Sequence, residues 1–203
     1  MSPLKIASHL AGIPLMATGG LGGVHRGGHV TLDVSADLSE LSRTPVTVVC
    51  SGVKKILDIP RTLEVLETNG VGVYTVGEND HFPDFYLRNS GHRSPGGAVS
   101  ISKAAEIISI SQELNFSSGM MMANPVPISH EGDGKIISGF IDQAIRESEE
   151  KNITGAESTP FILGRLAELS KGKTVEINRH LVVNNAKTGG AIATELAKMK
   201  NSR

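Results

Sequence analysis

The chain has 203 residues, 39% hydrophobic and 20% charged, a balance that fits one globular unit rather than a disordered segment. Its 20 basic and 21 acidic residues leave a net charge of −1, and aromatics are 3% with no tryptophan. Neither a phosphate-backbone surface nor a base-stacking platform is therefore favoured.

In chain order, IPLMAT (13–18) reads as a first strand that runs into the glycine-rich GGLGGVHRGG (19–28). A loop or short element carries TLDVSADLSEL, and VTVVC (46–50) is the unbroken β-branched run of a strand buried on both faces of a parallel sheet. After Lys54 a helical pattern begins, and it stops at Asn69-Gly70. VGVYTV is a further strand, Ser102 is placed as the N-cap of KAAEIISISQEL, and GMMMAN is the next strand. The long irregular stretch 77–99 reads as a site loop or lid. The last third is helical: an amphipathic helix over 136–150, another capped by Thr159 with Pro160 in its first turn, and a final one from Thr174 towards Lys198, softened at Gly189-Gly190. The sum is an α/β fold with a mainly parallel sheet flanked by helices, and with few strands. Cys50, the single cysteine, lies in an apolar run, which fits a buried thiol in a reducing compartment. With no apolar stretch of spanning length and no secretory pattern at the N-terminus, the expected location is cytoplasmic.

Several segments carry chemistry-bearing residues. The glycine-rich loop either lets backbone N–H groups approach a phosphate, with Arg26 adding donors, or simply turns the chain. Asp33-Val34-Ser35-Ala36-Asp37 offers two carboxylates and a hydroxyl, which suit a hard cation such as Mg²⁺ or Mn²⁺ or, equally, cap a helix. No histidine shows zinc-like spacing. Lys54 follows a strand and a Ser-Gly turn, the end of a parallel sheet at which ligands gather. Partly removed from water there, a lysine becomes a nucleophile for a carbonyl. Lys55, one residue on, is expected in solvent. On the last helix Asn178 and Asn185 are seven apart, hence on one face, and an amide on an apolar face binds a ligand or satisfies a neighbouring carbonyl.

Taken together, ATGGLGGVHRG, LDVSADLSEL, TVVCSGVKKILDIPRTLEVLET, FPDFYLRNSG, ANPVP, ITGAESTPFILGRLAEL and NRHLVVNNA resemble the pseudouridine-5′-phosphate glycosidase, or indigoidine synthase A-like, family. The likeness runs from about residue 6 to residue 198. It implies reversible cleavage of the C–C glycosidic bond of pseudouridine 5′-phosphate to uracil and ribose 5-phosphate through a lysine adduct. A C-glycoside has no heteroatom leaving group, so an iminium electron sink is needed. By that resemblance Lys54 is the nucleophile, Asp33 holds a divalent metal, usually Mn²⁺, and Ser35, Ala36, Asp37 and Asn178 contact substrate. It also implies a homotrimer, while charge balance and the lack of a spanning apolar stretch give the expectation of no nucleic-acid or membrane partner. The family has a portion ahead of ATGG, with a glutamate acid/base and a further lysine, to which nothing here corresponds, and the segment GHRSPGGAVSISK diverges. The expectation is thus a single domain over 1–203 that matches the C-terminal two thirds of the family domain, an N-terminally truncated member. The rival expectation is an impaired fragment that only binds ligand or pairs with subunits.

Overall fold

The computed structural model describes residues 2–153 and 157–201. Helix α1 (Ser2–Leu10) leads into strand β1 (Leu15–Ala17), followed by α2 (Gly28–Thr31), α3 (Ala36–Arg43) and β2 (Thr47–Cys50). Then come α4 (Ile59–Thr68), β3 (Gly72–Val76), β4 (Ala98–Val99), α5 (Ile101–Glu113) and β5 (Met120–Ala123). Helices α6 (Glu131–Glu150), α7 (Ser158–Ser170) and α8 (Lys173–Asn201) complete the order. The strands form one parallel sheet in the order β1-β2-β5-β3-β4, with Met16 beside Val48 and Val48 beside Met121. The α/β class and parallel sheet expected from the apolar runs are what the chain adopts.

The two central strands explain those runs. All four residues of TVVC and of MMMA are buried, because helices cover both faces of the sheet. On one face Val48, Cys50, Met121 and Val73 pack with Leu38 and Leu41 of α3 and Leu63 and Leu66 of α4. On the other, Val49, Met120 and Met122 pack with Ala104, Ala105 and Ile108 of α5 and Ile192 and Leu196 of α8.

Local chemistry moved several boundaries. Residues after Lys54 first make a turn, with the Leu57 N–H donating to the Lys54 carbonyl, and α4 starts only at Ile59 because the Asp58 carboxylate caps it through the Arg61 N–H. Ser100, not Ser102, caps α5, accepting from the Lys103 N–H, since the chain enters the helix straight from β4. The amphipathic helix begins at Glu131 rather than 136. Helix α8 runs unbroken through Gly189-Gly190, because Gly189 packs closely on Leu15 and Ala17 of β1. No described helix is long and apolar enough to cross a membrane.

Candidate functional site

The carboxyl ends of β1 and β2 open into two loops that hydrogen-bond to each other. The Ser51 N–H donates to the Gly19 carbonyl at 2.8 Å, the Leu21 N–H to Gly52 at 3.0 Å and the Lys54 N–H to Leu21 at 3.5 Å. Gly52 sits at φ +83, and a Cβ there would strike the Pro83 carbonyl, so this turn requires glycine. On its far side the glycine-rich loop pairs with the aspartate segment: Ser35 N–H donates to Gly23 and His25 N–H to Asp33, both at 3.0 Å. The loop is therefore the middle layer between the lysine turn and residues 33–37.

This sandwich takes up part of the hydrogen-bonding capacity of the glycine-rich loop. The N–H groups of Leu21, Gly22, Val24 and His25 all donate within the chain, to Gly52, the Asp37 carboxylate, the Thr62 hydroxyl and Asp33. Its glycines serve close approach, with Gly20 against the Phe85 ring and Gly22 against Ser35. Those four donors are therefore not free to cradle a phosphate.

The predicted residues surround this layer, in different states. Lys54 is exposed at the end of its turn, so the partial removal from water expected of it is not supplied by the described residues. The lysine that burial does perturb is Lys5, at the opposite end of the sheet. Its fully buried amine is pushed down to about 8 and donates to the Glu40 carbonyl at 3.1 Å. Lys55, expected in solvent, turns inward because the 54–57 turn replaces a first helical turn. It donates to Asp142 at 2.9 Å and to the Ser138 hydroxyl on α6.

Asp33 is half-buried, its Oδ2 3.7 Å from His25 Nδ1, and His25 is hydrogen-bonded to the Thr159 hydroxyl at 2.9 Å. Thr159 thus holds a loop histidine rather than capping α7. Ser35 is the N-cap of α3, accepting from the Asp37 N–H. The Asp37 carboxylate is engaged by Ser2 and by the Gly22 N–H, and Ala36 is exposed. Asn178 is exposed on α8, its Oδ1 3.3 Å from where a Gly19 Cβ would stand. Among the described residues no three His, Cys, Asp or Glu side chains gather to hold a metal ion. Asp33 alone is a donor set suited to a cation that keeps most of its water.

Two groups escaped sequence reasoning. Asn124, at the end of β5, donates to Asn185 at 2.9 Å, and only the sheet order brings them together. Asp84, within FPDFYLRNSG, is buried beside Gly52 and lines a cavity of about 430 Å³ with Arg26, Lys55 and His92. Burial pushes its carboxyl up to about 6, against the Leu87 N–H and Lys55, which pull it down.

A profile described as indigoidine synthase A like protein matches residues 1–195. The chain belongs to that family. Within the indigoidine synthase A-like family it is 47% identical over 194 residues to a pseudouridine-5′-phosphate glycosidase of Glaesserella parasuis, covering 95% of this chain and 64% of the relative. It is 49% identical over 191 residues to one of Legionella pneumophila, covering 94% and 61%. The chain thus spans just under two thirds of these relatives' length. Among solved structures, the prealnumycin C-glycosynthase AlnA in complex with ribulose 5-phosphate superposes with a TM-score of 0.87 at 30% identity, over 98% of this chain and 65% of that one. An indigoidine synthase A (IdgA)-like protein from Thermotoga maritima superposes with a TM-score of 0.76 at 33% identity, over 94% and 63%. Of the motif ITGAESTPFILGRLAEL, residues 154–156 lie outside the described residues.

Proposed function

We propose that the chain carries the nucleophile-bearing part of a pseudouridine-5′-phosphate glycosidase, cleaving the C–C glycosidic bond to give uracil and ribose 5-phosphate. What carries this reading is the 47–49% identity to curated glycosidases of that name over almost the whole chain. Lys54 supports it by standing exposed at the carboxyl end of β2, where a parallel sheet presents ligands.

In the proposed sequence the neutral Lys54 amine bonds to C1′ as the C1′–O4′ bond opens and O4′ takes a proton. The nitrogen lone pair then expels uracil from C1′. This follows loss of a proton from the adduct nitrogen and protonation of uracil at C5, with the positive charge carried by N1, and the C1′–C5 electron pair restores the C5=C6 double bond as it leaves C1′. Water hydrolyses the remaining C1′ iminium to the aldehyde of ribose 5-phosphate and returns the amine. Asn178 and the 33–37 segment line the approach to the lysine on either side of the glycine-rich loop. Ser35 and Asp37 serve there mainly by holding that loop. Mn²⁺ belongs to the proposal at Asp33, one carboxylate with water in the other positions, supplying positive charge near the sugar phosphate. A homotrimer in the cytoplasm completes the reading, on family resemblance.

The test is incubation with pseudouridine 5′-phosphate and Mn²⁺, followed by borohydride trapping and peptide mass spectrometry. Uracil release and a reduced pentose phosphate adduct on Lys54 are expected. No uracil and no adduct would overturn the proposal.

A further inference from the structure

The buried residues of α8 are Ile177, Leu181, Gly189, Ile192 and Leu196, with one amide among them, Asn185. Packing alone does not require an amide there. Asn185 is completely buried, and every polar atom of its side chain is engaged. Its Nδ2 donates to the Thr18 carbonyl at 2.8 Å, the Gly19 carbonyl at 3.1 Å and the Ser51 hydroxyl at 2.9 Å, while its Oδ1 accepts from Asn124 Nδ2 at 2.9 Å. Two N–H bonds serve three acceptors, so one is shared. Thr18, Ser51 and Asn124 are the first residues past the ends of three adjacent strands, β1, β2 and β5, and Gly19 is the second past β1.

We infer that Asn185 is a positioning residue that sets where Lys54 stands, an inference that rests on reading Lys54 as the nucleophile. Ser51 begins the turn Ser51-Gly52-Val53-Lys54. The Gly19 carbonyl that Asn185 grips also receives the Ser51 N–H, and from there the ladder continues through Gly52 and Leu21 to the Lys54 N–H. One side chain therefore fastens both loops of the site to the rigid core at the root of the lysine's turn. Removing it leaves the carbonyls of Thr18 and Gly19 and the Asn124 amide without this buried partner, so the loops reposition to recover hydrogen bonds. A displacement of about 1 Å at a reacting group costs on the order of 10²-fold in rate.

The experiment compares wild type with Asn185→Asp, which keeps the shape but sets oxygen against the two carbonyls, and with Ser51→Ala, which removes only one acceptor. Asn184→Ala, the neighbouring α8 amide, is the control. Two quantities are read: borohydride-trapped adduct formation on Lys54 from ribose 5-phosphate, as limiting rate and half-saturating concentration, and hydrogen exchange by peptide. Asn185→Asp should lower the limiting rate about 10- to 100-fold with half-saturation within about twofold. It should speed exchange at Leu21, Ser51 and Lys54 about tenfold and leave α5 unchanged. Ser51→Ala should show the same pattern more weakly, and Asn184→Ala none of it. A folded Asn185→Asp with wild-type rate, or exchange that quickens equally in α5, overturns the inference. If Asn185→Asp does not fold, Ser51→Ala decides by the same two readouts. If wild type traps no adduct, the lysine reading fails, and localised exchange still decides the role of Asn185.

Discussion

The floor of the site and its rim are built on opposite principles. On the floor, Asn185, Asn124, Ser51 and the strand-end carbonyls are buried, and each finds a partner inside the chain. At the rim, Lys54 and Asn178 are exposed and Asp33 is half-buried. The floor can hold geometry but has no spare hydrogen-bonding capacity for a ligand. The rim has that capacity but does not fix its own geometry. On the proposal that Lys54 is the nucleophile and Asn185 its positioning residue, the amine is positioned from below, and single substitutions in the two layers should fail in different ways.

The largest effect is expected at the rim, where the two neighbouring lysines separate chemistry from scaffold. Lys54→Met should abolish the trapped adduct while leaving the unfolding midpoint within about 0.5 kcal/mol of wild type, because the side chain is exposed. Lys55→Met should still form the adduct on Lys54. An adduct that persists in Lys54→Met and vanishes in Lys55→Met would reverse the assignment and, with it, the distinction between rim and strut.

Next in size is the turn that joins floor to rim. Gly52→Ala must place a methyl group at φ +83 against the Pro83 carbonyl. Strain and overpacking together should cost about 3 kcal/mol or more, a fall in Tm on the order of 10 °C for a chain of this size. Differential scanning calorimetry measures this directly. A variant within about 2 °C of wild type would show that this turn relaxes freely and does not transmit floor geometry to Lys54.

Legibility in the sequence followed the same division. VTVVC and MMM announce buried parallel strands because hydrophobic burial on two faces leaves an unbroken apolar run. Lys54 was placed from the strand end and turn that precede it, and the family resemblance supplied its role. What stayed hidden depended on contacts far apart in the chain. The inward turn of Lys55 is set by Ser138 and Asp142 on α6, and the pairing of Asn124 with Asn185 by the sheet order. Capping was off by two residues at Ser100, because both serines suit the role and only the end of β4 decides between them. Asp84 lies in the irregular stretch 77–99, where no local pattern marks it, and its burial arises only when its segment pairs with Gly52.

That burial makes Asp84 the source of a pH effect on the floor side. Its carboxyl is raised from 3.8 to about 6, mainly by burial. A raised acid binds its proton more tightly in the folded state, so stability is full below about pH 4 and is lost as pH rises towards 6. The contribution is on the order of 2–3 kcal/mol. Asp84→Asn, which keeps an oxygen for the Leu87 N–H, should therefore be more stable than wild type at pH 8 and show little advantage at pH 4.5. Urea midpoints at the two values measure it. A variant less stable than wild type at pH 8 would mean that Lys55 compensates the buried charge.

The smallest effect tests the strut itself. Lys55 and Asp142 meet at 2.9 Å with side chains 18% and 46% exposed, so solvent screens their attraction. A double-mutant cycle of Lys55→Met and Asp142→Asn should give a coupling of about 0.5 kcal/mol in urea unfolding, shrinking as salt is raised. Because the pair ties the lysine turn to α6 from outside, whereas Asn185 ties it from beneath, neither strut variant should slow adduct formation on Lys54 more than about threefold. A larger slowing with so small a coupling would move Lys55 from scaffold into the site and give the rim a geometry-setting role of its own.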